Sequence, residues 1–600
     1  MPELRERSEM DQNYMWDLTG MYADDAAWEK ALCELDKAVE KAAAWQGKLT
    51  DVASIAGYLQ DSTELERLLS NLFGYASLRN AEDTRQDQAQ SMYNRIYGKY
   101  VQAEAALSFG SPEILALPEE ELERIAAAPE LADYRYQLQK LLREKPHTLN
   151  AQEEKLLAMM GEVFAAPREI ASSLQNADMI FDPAADSEGK EHEVSGSGYI
   201  LLQNSTDREL RKNAFDSYYR GYEHHIHTFA SSYAGMVKGA VVRAEARRYG
   251  SSREMYMAGE NIPAVVYDSL IESVHKAMPL MYRYVSLRKE ILGLDELHYY
   301  DLYAPLASGD PAVYTYEQAQ QMVLDAVRPL GEEYGRIVRQ GFADRWIDVY
   351  PNKGKRGGAF SSGTYDSNPF ILHNFVGTLD SVSTLAHEMG HSMHTWFSNH
   401  TQLPQNADYT IFVAEVASTV NENLLIEQLL ADCTDPVRKM ALLNEYLEGF
   451  KGTVYRQTMF AEFEKEAHAM AERGEALSAS SLNDLYERLI RLYFGPELVF
   501  DKAVAMEWAR IPHFYTPFYV YKYATSYAAA VDISERILSE GAPAAEQFID
   551  FLRLGGSMDP LDELVKAGVD LRTPQPVDRA LEKFGRVLDM AQELAGQMRG

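Results

Sequence analysis

DSVSTLAHEMGHSMHTWFSNH, residues 380–400, is the most informative stretch of this chain. It contains His387 and His391 four positions apart, with Glu388 directly after the first histidine. Positions i and i+4 of an α-helix share a face, so both imidazoles can reach one ion. Zinc accepts neutral imidazole nitrogen in a four-coordinate site, and in H-E-x-x-H the glutamate acts as general base on the ion's water. The stretch therefore predicts a zinc-bearing helix suited to hydrolysis.

The residues around this motif also predict a helix. Asp380 is predicted to be its N-cap, because a short acidic side chain can accept from the first free backbone N–H groups. One apolar stripe at helical spacing would seat the helix in a core; its members are Val382, Leu385, Met389, Met393 and Trp396. The alternative is a buried helix whose two histidines are merely hydrogen-bonded.

A catalytic zinc site needs a third protein ligand and one open position. FVAEVASTVNENLLIEQLL, residues 412–430, predicts the next helix, and Glu415 lies near its start, 24 residues after His391. This distance allows a short loop and a returning helix. Glu422, two turns further on the same face, is placed to hold a ligand imidazole from behind. His394 competes as a ligand, but its distance along the helix from His387 favours a supporting or core position.

Polar aromatic residues crowd into residues 513–527, where His513 is followed by several tyrosines, among them Tyr519 and Tyr523. Peptide hydrolysis passes through an oxyanion, and a phenol or imidazole donor directed at it lowers the barrier. Pro512 and Pro517 predict a loop or the start of a helix here. The alternative is ordinary aromatic packing.

Four motifs together resemble the thimet oligopeptidase-like zinc peptidases, and within them the oligoendopeptidase F group. They are HEMGHSMH followed by FVAEVASTVNE, RGGAFSSGTYDSNPFILHNF at residues 356–375, YRQTMFAEFE at 455–464, and HFYTPFYVYKYATS at 513–526. The resemblance spans about residues 195–575 and is weaker upstream. It implies a mainly α fold: a large helical two-lobed body that encloses a deep substrate channel, with one Zn²⁺ at its bottom.

The resemblance also implies a substrate class and further site residues. Short peptides would be cleaved internally and folded proteins excluded. His513 matches the family histidine that contacts substrate around the scissile bond, and Tyr523 is the best match for the family tyrosine. Tyr519 remains a rival, because the spacing from the histidine is shorter here than in the thimet oligopeptidase branch.

A glycine-rich segment, residues 352–364, leads into PFILHNF, residues 369–375, which predicts a strand in a small β-sheet next to the zinc helix. Such a strand could pair with an extended substrate by main-chain hydrogen bonds. The resemblance favours this interpretation, with the substrate-binding residues Gly357, Gly358, Ala359 and Phe360. The alternative is a hairpin packed on the core.

The rest of the chain is mostly helical in pattern. Amphipathic helices are predicted from residue 24 to residue 174. Residues 181–205 break the pattern, and the run GYILL within them suggests a small hairpin or boundary loop. We therefore predict an N-terminal helical domain at residues 1–195, which would form a channel wall, and a catalytic zinc domain at residues 196–600. Residues 555–556 form a Gly-Gly turn without predicted chemistry.

Composition narrows the function classes. The formal net charge is −33, which argues against nucleic acid or an anionic membrane as a partner. Only Cys33 and Cys433 occur, so neither a disulfide framework nor thiolate zinc ligation is expected. There is no signal-like apolar segment near residue 1 and no run of about 18 apolar residues. We expect a soluble, cytoplasmic protein whose partners are short peptides; no pattern specifies its oligomeric state.

Two other functions stay open. A zinc exopeptidase of the carboxypeptidase type would use the same motif but would not cut peptides blocked at both ends. A peptide-binding protein with a structural zinc would need no base, and Glu388 beside buried histidines argues against it.

Overall fold

The computed structural model of this protein describes residues 4–307 and 312–599. Most of these residues are helical, which confirms the mainly α prediction. The α-helices, in chain order, are α1 (Asp25–Ala43), α2 (Val52–Glu82), α3 (Asp87–Leu107), α4 (Gly110–Leu115), α5 (Glu119–Ala127), α6 (Arg135–Glu144), α7 (Ala151–Met159), α8 (Gly161–Ser173), α9 (Tyr199–Gln203), α10 (Arg208–Ala246), α11 (Ser252–Ala258), α12 (Ala264–Lys276), α13 (Met278–Ile291), α14 (Tyr316–Ala326), α15 (Glu332–Ala343), α16 (Leu379–Thr401), α17 (Ile411–Asp432), α18 (Pro436–Gly449), α19 (Arg456–Glu472), α20 (Ala479–Phe494), α21 (Tyr521–Glu540), α22 (Ala542–Leu552), α23 (Pro560–Lys566) and α24 (Gln575–Arg599).

The strands are short and form three small sheets. They are β1 (Ala184–Ala185), β2 (Glu191–His192), β3 (Leu297–His298), β4 (Ile347–Asp348), β5 (Phe360–Ser362), β6 (Phe370–Leu372) and β7 (Leu498–Val499). β1 pairs with β2 in an antiparallel hairpin, and β3 pairs with β7 in parallel. In the third sheet β6 is central, parallel to β4 and antiparallel to β5.

The chain forms two compact units, each built from three segments. One unit comprises Met1–Pro146, Ala312–Leu425 and Ile533–Val569. The other comprises His147–Pro311, Ile426–Asp532 and Asp570–Gly600. Each unit combines segments that are distant in sequence, whereas the predicted boundary is a single division of the chain after residue 195. That boundary stays a prediction.

In the first unit, the N-terminal helices and the sheet beside α16 share one apolar core. Trp28 of α1 and Leu72 of α2 are fully buried in the same cluster as Leu372 of β6. The Trp28 indole donates to the carbonyl of Leu72 at 2.8 Å, which satisfies its one polar atom inside this core. The small sheet is therefore fixed from behind by α1–α3.

One local prediction was wrong in part. The predicted hairpin in residues 181–205 exists as β1 and β2, but GYILL is not part of it; these residues lie in and next to the short helix α9. Leu201 is exposed and Tyr199 is buried, so a single turn of helix buries one side of an apolar run as well as a strand would. Among the described residues no helix is both long and apolar enough to cross a membrane, and Cys33 and Cys433 are free thiols.

Candidate metal centre

The motif residues lie on α16, as predicted, but the helix begins differently. Its N-cap is Thr378, whose hydroxyl accepts from the N–H of Ser381 at 3.2 Å. Asp380, the predicted cap, lies in the first turn, where its charge suits the helix dipole. The predicted apolar stripe is buried, except that Trp396 is only partly so. The stripe fixes the rotation of the helix, which decides where both histidines point.

α16 and α17 approach so closely at Gly390 that no side chain fits there. A Cβ at this position would lie 2.6 Å from the carbonyl oxygen of Ala417 and 2.6 Å from the Cα of Ser418. Near this crossing the Asn421 side chain donates to the carbonyl of Ala386 at 3.1 Å. Both contacts involve backbone atoms, so they hold the two helices in a fixed register.

Three predicted ligands form a compact triangle on these helices. The Nε2 atoms of His387 and His391 are 3.2 Å apart, and each lies 3.5 Å from Oε2 of Glu415. Zinc ligands at about 2.0–2.2 Å in a tetrahedron are about 3.3–3.6 Å from one another. The triangle therefore has the donor types and the size of one face of a zinc site.

Potential ligand atoms of these three residues all lie within 4.8 Å of one another. In the part of the chain that the structure describes, no other group of three or more His, Cys, Asp or Glu residues meets this distance. The cluster His224, His225 and His227 on α10 forms no such group. Neighbouring positions of a helix point in different directions, which explains why a dense run of histidines is not a ligand set.

The triangle lies in a strongly negative environment. Burial alone would lower the pKa of His387. Glu422 has the opposite effect through its charge and its hydrogen bond, with Oε1 3.2 Å from Nδ1 of His387, and the pKa is raised to about 9. Burial alone would raise the pKa of Glu415, but His391 and His387 lower it to about 2. The carboxylates thus favour a positive charge at this point of the protein.

Glu388 lies beside the triangle but is not part of it. Its side chain is 6% exposed, and this burial raises the pKa of the carboxyl group, partly offset by the charges of His387 and His391. Oε2 of Glu388 is buried and has no hydrogen-bond partner among the described residues. A buried carboxylate oxygen without a partner is unfavourable for stability, so Oε2 is an acceptor that the described residues leave unused.

The sheet next to α16 differs from the prediction in one respect. Residues 369–375 do contain a strand, but it is β6, which is fully buried between β4 and β5 and cannot accept another strand. The outer strand on this side is β5, which pairs with β6 alone among the described residues. β5 lies against the metal-site helix, because the hydroxyls of Ser361 and Ser392 are 2.9 Å apart.

Of the four predicted substrate-binding residues, only Phe360 lies in β5. Gly357, Gly358 and Ala359 form the turn that precedes it. Gly358 has φ +81°, a conformation that favours glycine. Its carbonyl accepts from the Asn374 side chain at 2.7 Å, which ties the turn to the residues after β6.

His394 belongs to the core, as the sequence favoured, and not to the ligand group. Its ring stacks on Tyr409 with 3.7 Å between centroids and lies near Phe551. Burial lowers its pKa to about 3, so the ring is neutral. The stack joins α16 to the loop that leads to α17.

This connecting loop rests on a feature to which the sequence assigned no role. The N–H of Gly556 donates to the carbonyl of Asn406 at 2.8 Å. A Cβ on Gly555, which has φ +53°, would lie 2.6 Å from the same oxygen. The Gly-Gly turn therefore supports the connection between α16 and α17, the two helices that carry the triangle. In the sequence, only the pairing of two glycines indicated a close backbone approach.

In the second unit, His513, Tyr519 and Tyr523 come together on one segment. His513 lies in a short 3₁₀ turn (Pro512–Tyr515), and Tyr523 lies in the first turn of α21. The rings of His513 and Tyr519 are parallel, with centroids 6.2 Å apart. The ring of Tyr523 stands perpendicular to both, at 5.9 Å and 5.3 Å. His513 is exposed and the two tyrosines are half-buried.

Comparisons with known proteins cover both the triangle on α16 and α17 and the aromatic segment at residues 513–523. The model of peptidase family M3 matches residues 201–583, and that of oligopeptidase F matches residues 113–181. Oligopeptidase PepF of Bacillus subtilis is 41% identical over 594 residues, covering 99% of this chain and 89% of that protein.

Solved structures agree with these matches. One from Chlamydophila abortus has a TM-score of 0.92 at 35% identity and covers 99% of this chain and 100% of its own. The structure of oligoendopeptidase-F from Enterococcus faecium has a TM-score of 0.74 at 34% identity, with 95% and 98% covered. The likeness extends over nearly the whole chain, so it includes α16, α17 and the aromatic segment.

Proposed function

This chain belongs to peptidase family M3, and from that premise we propose that it is a zinc-dependent endopeptidase that hydrolyses internal bonds of short peptides and not of folded proteins. The observation that carries the proposal is the triangle of His387, His391 and Glu415, with the unpartnered Oε2 of Glu388 beside it. The names of the relatives, oligopeptidase PepF and oligoendopeptidase-F, support the substrate class.

Two imidazoles and one carboxylate are proposed to hold one Zn²⁺ per chain. The bound ion would lower the pKa of a coordinated water toward about 7 and polarise the peptide carbonyl. Glu422 acts on this site through His387: as the acceptor for Nδ1–H, it fixes the tautomer that leaves Nε2 free to bind metal.

Glu388 is proposed as the general base. It takes a proton from the attacking water and then delivers a proton to the leaving amine. Its raised pKa brings proton affinity closer to neutral pH, which suits both steps. The unpartnered Oε2 supports this role, because an oxygen already hydrogen-bonded within the protein would have to break that bond first.

Tyr523 is proposed as the hydroxyl donor to the oxyanion, with Tyr519 as its rival and His513 as a further donor to substrate. Two observations support these roles. The family resemblance includes this segment, and the three side chains are neighbours within their own unit.

The free edge of β5 is proposed to bind substrate in an extended conformation. Main-chain hydrogen bonds to a strand edge accept many sequences, because they do not involve the substrate side chains. Phe360, the first residue of β5, is proposed to contact the substrate, and Gly357, Gly358 and Ala359 are proposed to line the approach to it. The support is the outer position of β5 in its sheet and its contact with α16.

The proposal is tested with a peptide of about ten residues that is blocked at both ends, analysed by mass spectrometry with and without a zinc chelator. Internal cleavage that the chelator stops is the expected result. No cleavage of the blocked peptide, with cleavage of the free one, would indicate an exopeptidase. Zinc in the protein by elemental analysis, with neither peptide cleaved, would indicate a structural ion. The same peptide sequence inside a folded protein is expected to resist.

A further inference from the structure

Glu464 is a buried acid without an obvious partner for its charge. It lies on α19 in the YRQTMFAEFE segment, and its side chain is 1% exposed. Oε1 accepts a hydrogen bond from the backbone N–H of Phe518 at 2.7 Å. Oε2 is buried without a partner among the described residues. Burial raises the pKa of this carboxyl group well above its usual range.

The residue that Glu464 contacts has an uncommon backbone conformation. Phe518 has φ +56°, in the left-handed region that non-glycine residues rarely occupy. Such a conformation persists only where the surroundings hold it. The N–H is fixed by Glu464, and the ring packs on His468 and Tyr267, with centroid distances of 4.7 Å and 5.9 Å.

Both ring neighbours are themselves anchored to the same region. Nδ1 of His468 is 2.8 Å from the hydroxyl of Ser252. The phenol of Tyr267 donates to the carbonyl of Ala461, on the same helix as Glu464, at 2.6 Å. Phe518 is therefore held by α19 through both its backbone and its side chain.

The direction of the chain at Phe518 decides where the next residue points. Tyr519 follows immediately, and its ring lies parallel to His513 and 5.3 Å from Tyr523. If Phe518 returned to negative φ, the chain after it would change direction and Tyr519 would leave this arrangement. The placement of Tyr519 beside His513 and Tyr523 thus depends on one strained residue.

We propose that Glu464 is a positioning residue: its hydrogen bond to the N–H of Phe518 holds the segment that aligns Tyr519 and Tyr523 for the reaction. This inference rests on the donor roles proposed above for these tyrosines. An apolar residue of the same size would fill this site without desolvating an acid. The acid is therefore better explained by what it holds than by packing.

Glu462 provides a matched control on the same helix. It is also a buried glutamate, but it binds His275 at 2.7 Å and accepts from the phenol of Tyr493 at 2.8 Å. It has no hydrogen bond to residues 512–523 in the described structure. A substitution here removes a buried carboxylate without releasing Phe518.

The test compares Glu464→Met, Glu464→Gln and Glu462→Met in the zinc-loaded full chain, with kcat and KM measured on the blocked peptide. Glu464→Met removes the acceptor and should lower kcat about 10- to 100-fold with KM changed little, because small misplacements of catalytic groups cost about this much. Glu464→Gln keeps an acceptor oxygen and should restore most of the rate. Glu462→Met should leave kcat of the folded protein within about threefold. If Glu464→Met does not fold, Glu464→Asp takes its place. Its side chain is one methylene shorter, so the carboxylate lies farther from the N–H of Phe518, and kcat is again expected to fall.

A double-mutant cycle separates this inference from the proposed function. In a Tyr519→Phe, Tyr523→Phe background, Glu464→Met should have little further effect on kcat, since it acts through these tyrosines. The inference fails if Glu464→Met keeps the wild-type kcat, or if its effect persists in that background. If the tyrosine variants themselves keep full turnover, the donor roles fail, and the inference fails with them.

Discussion

The metal-site residues on α16 and α17 and the aromatic residues 513–523 are held in two different ways. His387, His391 and Glu415 are carried by two long helices that touch backbone to backbone at Gly390. His513 and Tyr519 lie before the start of α21, in a segment that turns through the strained Phe518. The first region takes its geometry from helical periodicity. The second takes it from a hydrogen bond to a residue 54 positions away.

The two regions should therefore respond differently to substitutions. Helix spacing fixes the metal-site histidines even when a neighbour changes, so substitutions there should act on one chemical role at a time. The aromatic segment has no periodic backbone of its own, so a single contact can move several donors together.

The largest effect is expected at Glu388. Replacing it in Glu388→Gln keeps the shape of the side chain but removes its ability to take a proton, so kcat should fall about 10³-fold or more. Zinc should remain bound, because Glu388 is outside the ligand triangle. The measurements are kcat on the blocked peptide and zinc per chain by elemental analysis. Near-normal turnover with zinc present would exclude the general-base role.

The next effect concerns the aromatic segment. Tyr523→Phe is expected to lower kcat about 10²- to 10³-fold, as for loss of one oxyanion donor. Tyr519→Phe should have a smaller effect. Tyr515→Phe is the control within the same segment, because its ring packs against Tyr233, at 6.1 Å, and it has no proposed role. A larger loss of kcat for Tyr519→Phe would reverse the two assignments. If neither variant loses kcat, the tyrosines of this segment only pack and take no part in the reaction.

What could be predicted from sequence follows the same division. The grouping of His387, His391 and Glu415 could be predicted because the histidines are one helical turn apart and Glu415 lies on the next helix, so local periodicity carries the information. The N-cap was misplaced by two residues, since both Thr and Asp cap helices and residue type alone favours Asp380 over Thr378, the observed cap. The sheet was found, but not the order of its strands, because pairing of β5 and β4 with β6 involves segments that the local pattern does not connect.

The supports of the site could not be predicted at all. Glu464 and Phe518 are far apart in sequence, and the left-handed conformation falls on a phenylalanine, where no residue preference indicates it. Gly390 stands at an unspecified position of H-E-x-x-H, and its role depends on which helix crosses it. Such contacts are properties of the packed chain.

A smaller effect is expected for the residue behind His387. Glu422→Ala should weaken zinc binding about 10- to 100-fold, because it removes the acceptor that orients the imidazole. Glu427→Ala is the control on the same helix, since Glu427 is paired with Lys583. Zinc affinity is measured by competition with a chelator at fixed pH. Equal affinities in both variants would show that the triangle orients His387 without help from Glu422.

The last effect concerns stability and not turnover or zinc affinity. It is expected at the helix crossing, and it tests whether the metal-site region is rigid without a bound ion. Gly390→Ala places a methyl group against the backbone of Ala417 and Ser418, which cannot yield as a flexible side chain would, so the metal-free protein should lose about 1–3 kcal/mol of stability. Gly98→Ala, inside α3 with open space around its Cβ, should be neutral or stabilising by up to about 1 kcal/mol. Urea unfolding of the metal-free proteins, followed by circular dichroism, separates this term from the contribution of zinc. If both variants have the same free energy of unfolding, the crossing can adjust, and a bound ion must draw the three side chains together. If Gly390→Ala is the less stable variant, the two helices hold the triangle at the spacing of a zinc site before the ion binds.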